Sequence, residues 1–241
     1  MRAAFCLSGK VGGIAGKDGL GRYVDFAKCA ETYFKHIINK NNCDVFMHCW
    51  DTRLEKQLVN LYHPVSHKFE PQIRFKTKST YHRDMKDEFI IQSKWYSVRE
   101  VIKLKQEYEQ KNNFIYDWVM LCRYDLVFLT NFDFSILNNK YFYLSNYNDG
   151  LYKGRQPNKE NYSEIKRRCL EMWFLCSSSN MNKLSLLYDK FDTFLNRTDP
   201  HTIVWQYIHQ FIDNPAENIK YILYRWFDYE LYRIKICGWK T

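Results

Sequence analysis

The sequence predicts an α/β fold: a mixed, mostly parallel central sheet flanked by helices, built as a single domain. Three observations carry that expectation. Two short apolar runs, Ala3–Leu7 and Tyr116–Cys122, read as strands buried on both faces. The first of them leads through a glycine-rich turn into an amphipathic helix and then into another apolar run, Cys43–Trp50, which is a strand, loop, helix, strand unit. With 241 residues, 46% of them hydrophobic and 26% charged, the chain can bury a core without staples and is too apolar for wholesale disorder.

The elements follow in order. Ala3–Leu7 ends at Ser8-Gly9, and six of the nine glycines then fall at positions 9, 12, 13, 16, 19 and 21. Tyr23, Phe26, Ala27, Ala30, Tyr33, Phe34 and Ile37 recur at three- and four-residue steps, the stripe of a helix that Asn41-Asn42 breaks. Between Thr52 and Arg83 the pattern weakens to one short helix, Pro64, Pro71 and a strand-like Gln72–Phe75. A firmer helix begins near Glu88. Its stripe is Ile91, Trp95, Val98, Ile102, Lys105 and Tyr108, with Glu100, Lys103, Glu107 and Lys111 on the water side. After Tyr116–Cys122 comes Arg123-Tyr124-Asp125, then Leu126-Val127-Phe128.

The second half predicts short strands at Tyr141–Leu144 and Met172–Cys176, separated by a polar, tyrosine-rich loop over Ser145–Glu164. Helices are expected over Met181–Leu195 and Thr202–Phe211, and the alternating aromatic tail Lys220–Ile236 reads as strand.

Charge and cysteine usage narrow the function classes. The net charge of +9, from 36 Lys and Arg against 27 Asp and Glu, favours anionic partners. The lysines are scattered, and the longest basic cluster is Lys166-Arg167-Arg168, so no nucleic-acid partner is expected. The 19 Tyr, 17 Phe and 7 Trp supply flat, polar-tipped walls of the kind that meet bases and sugars. None of the 8 cysteines forms a C-x-x-C pair, and the 7 histidines form no H-E-x-x-H motif, which argues against a zinc site. No apolar stretch is long enough to span a membrane, and the first residues lack a signal-peptide core, so a reduced, cytoplasmic compartment is the expectation.

Several constellations sit at predicted strand ends, where parallel sheets bind ligands. The glycine loop after Ser8-Gly9-Lys10 reads equally as a phosphate cradle or as a surface loop. It lacks the Ser or Thr of a Walker motif, since Asp18 follows Gly16-Lys17. Arg123 and Asp125 share a strand face and can order each other or together meet a metal diphosphate; the alternative for Asp125 is a turn cap. Trp50-Asp51 ends the second strand, with Asp51 able to accept from a base or ribose or simply to cap. Ser93 and Ser97, one turn apart with Tyr96 beside them, face either the same cleft or solvent.

Four segments resemble one family when taken together: Phe5–Lys10, Asn42–Asp51, Gln92–Lys105 and Tyr116–Leu126. In that order they resemble glycosyltransferases of the GT-A (Rossmann-like) fold, in particular small bacterial and large-DNA-virus enzymes that build surface polysaccharides. The resemblance is looser beyond residue 126, where Glu171–Phe174 and Asp199-Pro200-His201 match family segments. It implies a nucleotide-sugar-binding half over 1–126 and an acceptor-binding half over 127–241.

The implied partners are a nucleotide-diphosphate sugar donor and a glycan or glycoconjugate acceptor. Ser8, Gly9, Lys10, Trp50, Asp51, Ser93, Tyr96, Ser97, Arg123 and Asp125 are the implied donor-binding residues. Asp125 stands where the family's D-x-D motif binds a divalent cation, Mn or Mg. Because Arg123 replaces the first Asp of that motif, Arg123 itself is an alternative neutraliser of diphosphate. Glu171 and Asp149 are the candidate bases for an inverting reaction. The rival expectation is a non-catalytic α/β protein that binds nucleotide or nucleic acid.

Overall fold

The structure is a computed structural model that describes residues 1–12, 22–78, 82–146, 169–194, 200–225 and 227–235. Its centre is a seven-stranded sheet. The strands in chain order are β1 (Ala3–Gly9), β2 (Cys43–Cys49), β3 (Ser66–Phe69), β4 (Trp118–Cys122), β5 (Phe142–Asn146), β6 (Leu170–Cys176) and β7 (Ile219–Tyr224). Their spatial order is β3-β2-β1-β4-β6-β5-β7. β3, β2, β1 and β4 are mutually parallel, β6 runs antiparallel to both β4 and β5, and β7 is parallel to β5. Only β6 is reversed, so the sheet is α/β, mixed and mostly parallel. Strands from both halves of the chain share it, since β6 pairs with β4.

The unbroken apolar runs arise because both faces are covered. Along β1, Ala3, Phe5 and Leu7 join one buried cluster with Tyr33 and Leu58, while Ala4 and Cys6 join the other with Trp95 and Val98. Helices α1 (Phe26–Tyr33) and α2 (Glu55–Tyr62) pack on the first face. The 30-residue α3 (His82–Lys111), α4 (Ser178–Ser185) and α5 (Pro200–Phe211) pack on the second. With residues on both faces removed from water, alternation has no reason to appear in the sequence.

Two small ribbons bear on the site. Leu126–Phe128 pairs antiparallel with Tyr229–Leu231, and Arg22–Tyr23 pairs antiparallel with Ile234–Lys235. The segment from Tyr229 to Lys235 therefore runs past Asp125 and pairs with the residues that follow the glycine loop.

Some expectations are corrected. The strand falls at Ser66–Phe69 rather than Gln72–Phe75, because pairing with β2 selects the polar SHKF segment that alternation alone does not reveal. The helix expected over Met181–Leu195 is Ser178–Ser185 followed by turns and a 3₁₀ turn at Phe191–Phe194. Helix α1 continues through a π-helical turn, Phe34–Ile38, before Asn42 closes it in the left-handed conformation at φ 50°. Glu100, expected on the water side, is buried against Lys68. Among the described residues no helix is long and apolar enough to cross a membrane.

Candidate functional site

Parallel register aligns the carboxyl ends of three strands. Gly9 lies opposite Cys49, and Leu7 lies opposite Cys122, so Lys10, Trp50 and Arg123 emerge from one edge. The Trp50 amide donates to the Gly9 carbonyl at 3.2 Å, which closes that edge. Gly9 has φ +114°, a region that an L side chain adopts only with strain, so the turn out of β1 calls for glycine.

A cleft of about 300 Å³ opens there. Ser8, Gly9, Lys10, Trp50 and Arg123 line it from the sheet edge, and Ser93 and Lys94 line it from α3. Six of the residues expected from the sequence are thus brought together. Gln72, Phe89 and Ile90 complete the lining, and these three and Lys94 were not anticipated. Helical spacing held a signal for part of this, since 89/93 and 90/94 are i, i+4 pairs on adjoining strips of one helix face. Gln72 had none; it reaches the cleft as the acceptor for the Ser93 hydroxyl at 2.9 Å.

A second cavity of about 490 Å³ adjoins the first and shares Trp50 and Gln72 with it. Val11, Gly12, Phe26 and Asp51 line this neighbour. Asp51 acts structurally there. Its Oδ2 accepts from the backbone N–H groups of Val11 at 2.6 Å and Gly12 at 2.9 Å, pinning the start of the glycine loop.

Tyr96 and Ser97 stand behind the wall rather than in it. Tyr96 stacks on Trp50 with ring centroids 5.2 Å apart, and the Arg99 guanidinium lies 4.9 Å from the centre of the Tyr96 ring. Ser97 is fully buried, and its hydroxyl is 2.6 Å from His48 Nδ1. The expectation that Ser97 faces the cleft is corrected: its buried hydroxyl is taken up by His48 and it does not line the cleft. His48 Nε2 is 3.0 Å from Glu70, and the imidazole sits edge-on to Trp50 at 4.9 Å. Burial holds the His48 pKa below its ordinary value, against the opposing pull of Glu70.

Two charged constellations border the cleft. In the first, Asp125 is fully buried and both its oxygens accept from guanidinium groups. Arg123 Nε lies 2.8 Å from Oδ1 and Nη2 2.9 Å from Oδ2, while Arg233 Nη2 approaches Oδ2 at 2.7 Å and its Nε at 2.9 Å. In the second, Lys94 Nζ donates to the Glu171 carboxylate, and to the Glu171 carbonyl at 3.2 Å. Burial draws the Lys94 pKa below the ordinary lysine value; Glu171 opposes that shift and the Arg123 charge reinforces it. Glu171 Oε1 is buried with no hydrogen-bond partner among the described residues. Because β6 is antiparallel, its first residues reach the same edge as the carboxyl end of β4, which is how Glu171 arrives there. Asp149, the other candidate base, lies outside the described residues.

A divalent cation at Asp125 meets a poor donor set. Hard cations take several oxygen ligands at once, yet the Asp125 carboxylate is already engaged by two guanidinium groups that would stand beside the ion. Among the described residues, no three His, Cys, Asp or Glu side chains converge to hold a metal. The residues present therefore do not fit Mn or Mg at this position. What the edge does offer is cationic hydrogen-bond donors, Lys10, Lys94 and Arg123, around a cleft with an aromatic wall.

Compared with known proteins, the chain matches no family model, and among curated proteins none matches it.

Proposed function

We propose that this chain is a nucleotide-sugar-dependent glycosyltransferase of the GT-A type, moving a sugar from a nucleotide-diphosphate donor to a glycan or glycoconjugate acceptor. The observation that carries the reading is the convergence of Ser8-Gly9-Lys10, Trp50 and Arg123, three separate strand ends, on one cleft with Ser93 and Lys94. A mixed sheet with a ligand-sized cleft at its carboxyl edge supports it further.

In this reading the acceptor oxygen bonds to the anomeric carbon as the bond from that carbon to the diphosphate oxygen breaks. The electron pair leaves with the diphosphate, and Arg123, Lys94 and Lys10 meet the charge that develops there. Trp50 supplies the flat surface against which a sugar or base ring rests. For an inverting reaction the acceptor proton passes to Glu171, whose Oε1 has no competing donor among the described residues. Lys94, which lines the cleft, holds the other oxygen and fixes the buried carboxylate behind it.

The test is a panel of UDP-, GDP- and dTDP-sugars, with a CMP-sugar as a monophosphate control, followed by release of the nucleotide. Turnover of at least one diphosphate donor, lost in Arg123→Met, supports the reading. Binding without turnover of any donor, with or without added glycan, favours a non-catalytic nucleotide-binding protein.

A further inference from the structure

We propose that the cleft neutralises a diphosphate with side-chain cations alone, and that Arg233 is the positioning residue that makes this possible by clamping Asp125 from the far side. The proposal rests on the reading that the cleft takes a nucleoside diphosphate.

The geometry divides the labour between the two arginines. Arg123 spends Nε and Nη2 on Asp125, at 2.8 and 2.9 Å. Its Nη1 has no protein partner among the described residues, and Arg123 lines the cleft. A guanidinium held by two parallel bonds to a buried carboxylate is fixed in plane and orientation, so the remaining donor is aimed without further loss of side-chain freedom.

Arg233 approaches Asp125 Oδ2 through Nε and Nη2, and the next residue back, Tyr232, donates its backbone N–H to the Asp125 carbonyl at 2.9 Å. The clamp thereby occupies the carboxylate that would otherwise be the cation ligand. Among the described residues, the cleft lining holds three cations, Lys10, Lys94 and Arg123, and no carboxylate; Asp125 and Glu171 pair with Arg123 and Lys94 outside that lining, and Arg233 offsets Asp125. The local excess is positive, the sign an anionic leaving group requires and one that repels a dication.

The segment around Arg233 is thus part of the site rather than an appendage. It supplies Arg233 and then pairs Ile234–Lys235 with Arg22–Tyr23, next to the glycine loop.

The experiment titrates the full chain with inorganic pyrophosphate and with UDP and GDP, in EDTA and again in Mn. The proposal expects the same affinity under both conditions, within about twofold, and weakening as salt rises. Arg233→Met should lower pyrophosphate affinity roughly 10- to 100-fold, with Arg233→Lys recovering part of it. Tenfold or tighter binding in Mn than in EDTA overturns the inference while leaving the diphosphate reading intact. Failure of pyrophosphate and both nucleotides to bind under either condition overturns both. A folded Arg233→Met chain that binds pyrophosphate as the wild type does removes Arg233 from the site, and the metal comparison on the unmutated chain decides the rest.

Discussion

Two lysines on helix α3 are both paired with a glutamate, yet their surroundings differ. Lys105 is fully buried and every donor it has is used: Glu109 at 2.8 Å, Ser178 at 2.5 Å and Asn182 at 2.7 Å. Its glutamate is equally saturated, since Glu109 Oε1 accepts from Ser178 and from the Tyr116 backbone. Lys94, three turns earlier, borders a cleft, shares the region with Arg123, and holds a glutamate whose second oxygen has no partner among the described residues. A closed network locks α3 onto α4 and the start of β4. An open one keeps a carboxylate lone pair and a cation in reserve, which stability alone does not require.

The same substitution at the two glutamates tests that contrast. Glu109→Gln strands a fully buried ammonium and should cost about 3–5 kcal/mol of unfolding free energy, read by urea or thermal denaturation. A loss under ~1 kcal/mol would show that the closed network is not a structural anchor. Glu171→Gln should leave the fold nearly intact and lower sugar transfer at least ~10²-fold, with diphosphate affinity unchanged. Wild-type transfer in that variant would leave Glu171 as a tether for Lys94 and nothing more.

The serines of α3 sharpen the comparison on a smaller scale. Ser97→Ala removes a buried hydroxyl from His48 and should cost about 1 kcal/mol of stability, with donor affinity as in the wild type. Weaker donor binding at unchanged stability would return Ser97 to the cleft.

The smallest effect concerns pH. Burial holds the folded-state pKa of His48 below its ordinary 6.5. As pH falls through that value the unfolded chain takes up a proton that the folded chain does not, so stability present above it declines below it. Unfolding measured from pH ~7 down to ~5 should show that slope, reduced in His48→Gln. An unchanged slope would place the dependence elsewhere.

Much of the fold was legible because strands buried on both faces and glycine turns are local signals. Ala3–Gly9, Cys43–Cys49 and Trp118–Cys122 stand where the apolar runs put them. Ser66–Phe69 was not legible, because an edge strand of polar residues is defined by its partner rather than by its own pattern. The site divides in the same way. Lys10, Trp50 and Arg123 follow from strand ends, whereas Ser97 looks like a cleft residue until the helix is docked.

The sequence by itself determined the α/β class and the edge on which the strand ends gather, while for Arg123 and Asp125 it left a mutual pairing, a shared diphosphate site and a turn cap open. Only the tertiary structure decided which charges meet. Lys94 reaches Glu171 across 77 positions, and Arg233 reaches Asp125 across 108. A buried charge takes its partner from whatever the packed chain brings within hydrogen-bond distance, and no local pattern records that choice.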